Sequence, residues 1–229
     1  MRRIMKLIEA LFAAIMKIVS FVFPYRLSQR LGVIRDFFYT LWIRNFLGDM
    51  GEHSMVSYPC TLQGGGPKYI SIGSNTYIQS HCILGCWRIY NAQCGQQSFN
   101  SKIVIGNSCN IGEYTQITAI NKITIGDGLL TGRYVYIGDN SHGGLSFEEA
   151  GIPPIKRKLS SKGEVVIGNN VWIGDKVTIL GGVTIGNNVI IGANSVVTRD
   201  IPDNCIAVGM PAKVVKQLAD GKMYGCING

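Results

Sequence analysis

Aliphatic residues recur along this chain at a spacing of six. Ile167, Ile173, Ile179, Ile185, Ile191 and Val197 mark the run, and Gly168, Gly174, Gly186 and Gly192 follow directly after four of them. Val171, Val177, Val183, Val189, Ser195 and Ile201 stand four positions after each leading residue. Neither a helix, with a period of 3.6, nor an ordinary strand, with a period of 2, produces such spacing. It is a hexapeptide repeat, the signature of a parallel β-helix. Each hexad predicts a short strand and a corner. The leading aliphatic and the residue two before it share the inward face, and the residue between them points out. The Gly-Asn-Asn runs at 168–170 and 186–188 suit tight corners. Three hexads then close a coil of about 18 residues.

The same register returns upstream at Ile105, Ile111 and Ile117, at Ile125, Thr131 and Ile137, and at Ile72, Ile78 and Leu84. Val56 and Leu62 begin it, so the pattern predicts an all-β solenoid domain over 51–210. Two stretches, 85–104 and 139–164, break the register and read as insertions, which in such folds gather on the binding face. The second carries Pro153-Pro154 and Lys156-Arg157-Lys158. Residues 1–50 read as a helical segment. A very apolar helix over 4–23 has a narrow stripe of Lys6, Glu9, Ala13, Lys17 and Ser20 and stops at Pro24. A second amphipathic helix follows over roughly 27–47. Interrupting charges argue against a simple membrane span or a signal peptide. Two uses remain open: capping the open end of the solenoid, or lying on a membrane surface with basic residues near anionic lipid.

Charge sharpens that choice only slightly. The 229 residues carry a net +8, of which residues 1–50 hold eight Lys/Arg against three acids, +5. The solenoid is thus mildly basic, and with no recognition helix or aromatic-basic platform a nucleic-acid partner is not expected. Seven cysteines (60, 82, 86, 94, 109, 205, 226) form no CxxC pair. That usage fits a reducing cytoplasm, with structural or incidental thiols.

Three histidines are available: His53, His81 and His142. Their separation does not suit a zinc site, so no metal is expected. His142 lies in Asp139-Asn140-Ser141-His142-Gly143, at the mouth of the second insertion, five residues after Ile137. An outward imidazole there can act as a general base near neutral pH. Trp172 takes the outward place of its own hexad, which is costly unless a partner covers it.

Residues 165–216, "VVIGNNVWIGDKVTILGGVTIGNNVIIGANSVVTRDIPDNCIAVGMPAKVVK", together with DNSHG at 139–143 and ITIGDG at 123–128, carry a resemblance. They resemble the hexapeptide-repeat acyltransferases, especially the maltose/galactoside acetyltransferase-like group and nearby polysaccharide O-acetyltransferases. The resemblance does not reach residues 1–50. It implies a left-handed β-helix, which spacing alone does not show. It also implies a homotrimer with acetyl-CoA as acyl donor in the crevice between solenoids. His142 would be the catalytic base, with Asn140 a candidate oxyanion donor and Asp139, Glu164 or Glu113 the candidate partner of the imidazole. The resemblance places Trp172, Gly174, Asp175, Gly192 and Ala193 along the CoA arm. Thr198, Arg199, Lys213 and Lys216 fall near its phosphates and adenine. Gly209-Met210-Pro211 would turn the chain into a short C-terminal helix over 211–219, within a tail over 211–229. The implied activity is O-acetylation of a sugar or surface-polysaccharide precursor, in the cytoplasm or on the inner face of its membrane. An N-acyltransferase for an amino sugar and a non-catalytic scaffold are the alternatives. The acceptor's clean acidic counterpart is missing, so the resemblance does not name the sugar.

Overall fold

Because inward positions fall two apart and the coil strands are only two to five residues long, each hexad can bury its aliphatics only by stacking on the next coil. The computed structural model describes residues 1–92, 95–144, 146–219 and 222–225. From Asp49 onward the chain visits three parallel sheets in rotation. The first runs from Asp49–Met50 to Thr184–Ile185, the second from Met55–Val56 to Cys205–Gly209, and the third from Cys60–Gln63 to Val196–Val197. Register keeps like positions above one another: Thr131 pairs Ile173, which pairs Ile191, and Ile137 pairs Ile179, which pairs Val197. These columns are the core, and Ile103, Ile111, Ile117, Ile137, Ile173 and Ile185 are fully buried.

The corners are tied from coil to coil. The N–H of Asn107 donates to Asp127 Oδ1 at 2.7 Å, that of Asp127 to Asn169 Oδ1 at 2.8 Å, and that of Asn169 to Asn187 Oδ1 at 2.8 Å. Asn187 in turn donates to Asp203 Oδ1 at 2.7 Å. Each short side chain satisfies a backbone donor that the turn would otherwise leave open. Asn170, Asn188 and Asn204 sit at φ of 55°, 54° and 60°, a region asparagine tolerates better than branched residues.

Two helices precede the coils, α1 (Arg2–Val22) and α2 (Tyr25–Ile43). α2 closes the open end of the solenoid. Ile43 joins the core, and the Thr40 hydroxyl accepts the Val56 N–H at 3.0 Å. The Tyr39 hydroxyl accepts from Cys60 N–H at 3.1 Å and donates to its carbonyl at 2.7 Å, while Asp36 accepts from Tyr58 N–H at 3.2 Å. These bonds occupy the backbone edge that a first coil leaves bare. α1 has no buried residue.

Several expectations need correction. The segment over 211–219 is not a helix: Ala212–Ala219 is a strand, antiparallel to Cys205–Gly209 and then to Lys222–Gly225. Ala212 and Val214 pack on the core while Lys213 and Lys216 face out, and the pairing covers the last edge of the second sheet. The first insertion is shorter than 85–104. Cys82–Cys86 and Lys102–Ile105 are coil strands, and between them Ile89–Ala92 pairs Gly95–Ser98 as a hairpin. The solenoid begins inside residues 1–50, at Asp49. Cys94, Cys226 and the rest of the tail from 226 lie outside the described residues.

Candidate functional site

The chain leaves the third sheet after Tyr136–Gly138, and the departure is braced at once. Asp139 is buried, and its Oδ1 and Oδ2 accept the N–H groups of Ile120 and Asn121 at 2.8 and 2.9 Å. Burial pushes its carboxyl above the ordinary carboxylate range, and those N–H bonds, with Asn140, pull the other way. Both oxygens thus serve the neighbouring coil. Asp139 fixes where the insertion starts, and it is not the hydrogen-bond partner of His142. Asn140 donates one amide hydrogen to the Thr118 carbonyl at 3.1 Å, and its side chain lines the hollow that His142 borders. Of the other proposed partners, Glu164 pairs Lys122 at 3.2 Å, and Glu113 accepts from Ser80 at 3.1 Å and faces Arg133 at 3.5 Å.

Ser141–His142 then forms a two-residue strand antiparallel to Leu159–Ser160, the returning arm of the insertion. His142 has therefore already left its coil, and it points from the base of the insertion rather than from a hexad strand. The first insertion locks the arrangement. Gln97, on the hairpin, donates its amide to the Leu159 carbonyl at 3.1 Å and accepts the Leu159 N–H at 2.8 Å. Tyr90, from the same hairpin, meets the His142 ring edge-to-face at 6.0 Å. Trp87 donates its indole N–H to Thr118 Oγ1 at 3.2 Å and meets Tyr90 at 5.7 Å.

A hollow of about 300 Å³ lies under this roof, lined by Gln63, Trp87, Tyr90, Gln116, Tyr136 and His142 among others. Its floor is the outer surface of the third sheet. Burial, then the nearby Asp139 charge, pushes the Tyr136 phenol up, so it stays a neutral donor. Across the DNSHG segment lies a second hollow of about 120 Å³, lined by Asp139, Asn140, Ser141, Lys162, Leu180 and Gly181. Two aromatic faces beside amide and hydroxyl groups suit a hydroxylated, partly apolar ligand, and the imidazole stands at its edge.

Sequence reasoning missed Gln63, Trp87, Tyr90, Gln97, Gln116 and Tyr136. Gln116 and Tyr136 were within reach, since each precedes a leading aliphatic and must point out. The hairpin residues had no periodic signal.

The proposed cofactor residues do not form one site within a chain. Trp172, Lys213 and Lys216 lie on the second sheet, and Gly174, Asp175, Gly192 and Ala193 at its corner with the third. Thr198 and Arg199 stand beyond the third sheet, at the opposite corner. The glycines also have a packing reason to be small: a Cβ on Gly174 would lie 2.6 Å from Ala193 N, and one on Gly192 2.7 Å from Val208 Cγ1. Asp175 Oδ1 accepts the Arg133 N–H at 2.8 Å. His81 stacks on Tyr114, with centroids 4.7 Å apart, and His53 lines a separate hollow beneath α2. Cys60 and Cys82 are buried, their thiols pushed up by desolvation to about 12 and about 11, so they offer no thiolate nucleophile near neutrality. Among the described residues no three His, Cys, Asp or Glu side chains gather as a metal site.

Residues 164–199 match the model of the bacterial transferase hexapeptide (six repeats). The galactoside O-acetyltransferase of Escherichia coli is 38% identical over 202 residues, 86% of this chain and 72% of that protein. Another E. coli protein, carrying the name lipopolysaccharide biosynthesis O-acetyl transferase WbbJ, is 40% identical over 119 residues. That alignment covers 50% of this chain and 60% of WbbJ's length. Among solved structures, a hexapeptide-repeat acetyltransferase of Vibrio cholerae complexed with acetyl coenzyme A has a TM-score of 0.52 at 26% identity, covering 79% of this chain and 76% of that one. AntD, an N-acyltransferase from Bacillus cereus solved with dTDP and 3-hydroxybutyryl-CoA, reaches a TM-score of 0.61 at 23% identity. The overlap covers 77% of this chain and 86% of AntD, a likeness of fold.

Proposed function

The chain belongs to the bacterial hexapeptide-repeat transferases, among their acyltransferases, and from that premise we propose that it moves an acetyl group from acetyl-CoA to a sugar hydroxyl with His142 as general base. The observation that carries this reading is the position of His142. It is held on a short strand at the edge of the aromatic-polar hollow, and a second hollow lies on the far side of the DNSHG segment. We assign the larger hollow to the acceptor, with Trp87 and Tyr90 as apolar faces and Gln63, Gln116 and Tyr136 as polar contacts. The smaller one, toward the C-terminal coils, takes the thioester end of the cofactor.

In that arrangement the imidazole removes the hydroxyl proton as the oxygen attacks the thioester carbonyl. The tetrahedral intermediate collapses with loss of the CoA thiolate, and the imidazolium returns the proton to sulfur. Base catalysis of this kind contributes roughly 10²–10⁴-fold, and holding both reactants in one cleft adds to it. A left-handed coil and a homotrimer belong to the same reading. The trimer is supported by one exposed column on the second sheet, where Tyr77, Leu130 and Trp172 stay 44%, 46% and 52% accessible. CoA would then lie between protomers, which would bring together residues that one chain leaves on separate edges. Lys213 and Lys216, facing out from the terminal strand, suit its phosphates.

The test is thiol release from acetyl-CoA in the presence of a panel of sugars and glycans, with the product checked for an ester. His142→Ala should lower the rate on the order of 10²–10⁴-fold while leaving CoA affinity unchanged. An unchanged rate in that variant would remove the proposed base. An amide product on an amino sugar would move the enzyme to N-acyl transfer.

A further inference from the structure

α1 is exposed at every position and contacts no core, yet most of its residues are apolar. With 100° between successive residues, Leu7, Leu11, Ile15, Ile18 and Val19 lie within a continuous apolar arc of roughly 200°. Lys6, Glu9, Lys17 and Ser20 share the remaining stripe, with Arg2 and Arg3 at the first turn. α2 repeats the pattern with a difference. Its Tyr39, Thr40 and Ile43 side is spent on the solenoid, while Leu27, Leu31, Ile34, Phe38 and Trp42 on the other side remain exposed. The helices join at Pro24 with a bend of 59°, and neither alone is long and apolar enough to cross a membrane.

We propose that α1, continued by the outer side of α2, is an interfacial helix that seats this protein on an anionic membrane surface. Two observations favour a bilayer over a second copy of the chain. An arc of this width exceeds the roughly 100° stripe that a helix buries against protein, and it matches a cylinder lying half-immersed in the headgroup region. α1 also carries four cations against Glu9, a charge that anionic lipid complements. The inference is independent of the transfer chemistry.

The experiment is co-sedimentation of the full chain with vesicles of phosphatidylcholine alone and of phosphatidylcholine mixed with phosphatidylglycerol. Binding should be strong only to the mixed vesicles and should weaken with salt. Lys6→Gln with Lys17→Gln should weaken it roughly 25-fold, since each cation near such a surface contributes roughly fivefold. Leu11→Glu should abolish it while leaving the far-ultraviolet circular dichroism of the β-coils unchanged, which shows that they remain folded. Equal binding to both vesicles, or no effect of the lysine substitutions, would overturn the electrostatic part. No binding to either vesicle would overturn the proposal, and a lower oligomeric mass in Leu11→Glu would then give the helix to protein association.

Discussion

His142 and Asp139 stand three residues apart and do different work. The imidazole reaches the hollow, while the carboxylate is consumed by two backbone N–H groups one coil away. Their proximity in sequence suggested a base and its orienting acid, but the turn out of the third sheet separates them. Their difference has a consequence in pH. The folded-state pKa of Asp139 is raised, so the native chain holds that proton more tightly than the unfolded chain. Its contribution to stability is therefore greatest at acid pH and is lost as pH rises through the folded value. Asp139→Asn cannot titrate, so the stability of the wild type relative to this variant should increase as pH falls from neutrality toward the ordinary carboxylate range. Denaturant titrations of both proteins at several pH values check it. A difference that shrinks on acidification would show that the native carboxylate is instead favoured in its charged form.

Elements were legible to different degrees. Hexads announced themselves because an inward column tolerates little besides aliphatic, small or cysteine side chains, and the register then follows without further information. α2 was visible as an amphipathic helix, but only the structure shows Tyr39 and Thr40 saturating the edge of the first coil. The terminal segment misled because Ala, Lys, Leu and Gln favour helix, whereas the uncovered edge at Cys205–Gly209 imposed a strand. Hairpin Ile89–Ser98 was the largest loss. Its value lies in one side chain, Gln97, which grips Leu159 beside His142 from 62 residues away in sequence. Gln97→Ala should lower kcat on the order of tenfold to a hundredfold through misplacement of the base, with CoA affinity unchanged. Gln97→Glu, which keeps an acceptor for the Leu159 N–H, should recover part of it. Wild-type kcat in Gln97→Ala would mean the insertions hold their positions without this bridge.

In the molecule as a whole, the solenoid leaves Tyr77, Leu130 and Trp172 exposed in one column of its second sheet, with Asn110 between the first two, and the catalytic candidate beside its third. A monomer gains nothing from exposing Trp172, and the proposed trimer would give it cover. Trp172→Glu would place a charge in that contact. It should shift the mass by light scattering from three chains to one and weaken CoA binding with it. A monomeric wild type would contradict the shared-site arrangement.

Calorimetric titration of CoA into the full-length protein, beside Lys213→Ala and His142→Ala, tests the acyltransferase reading at its donor site. Saturable binding near one site per chain is expected, weakened when Lys213 is removed and unchanged when His142 is removed. Absence of binding to correctly assembled wild type would contradict the acyltransferase reading and leave a β-helical scaffold in its place.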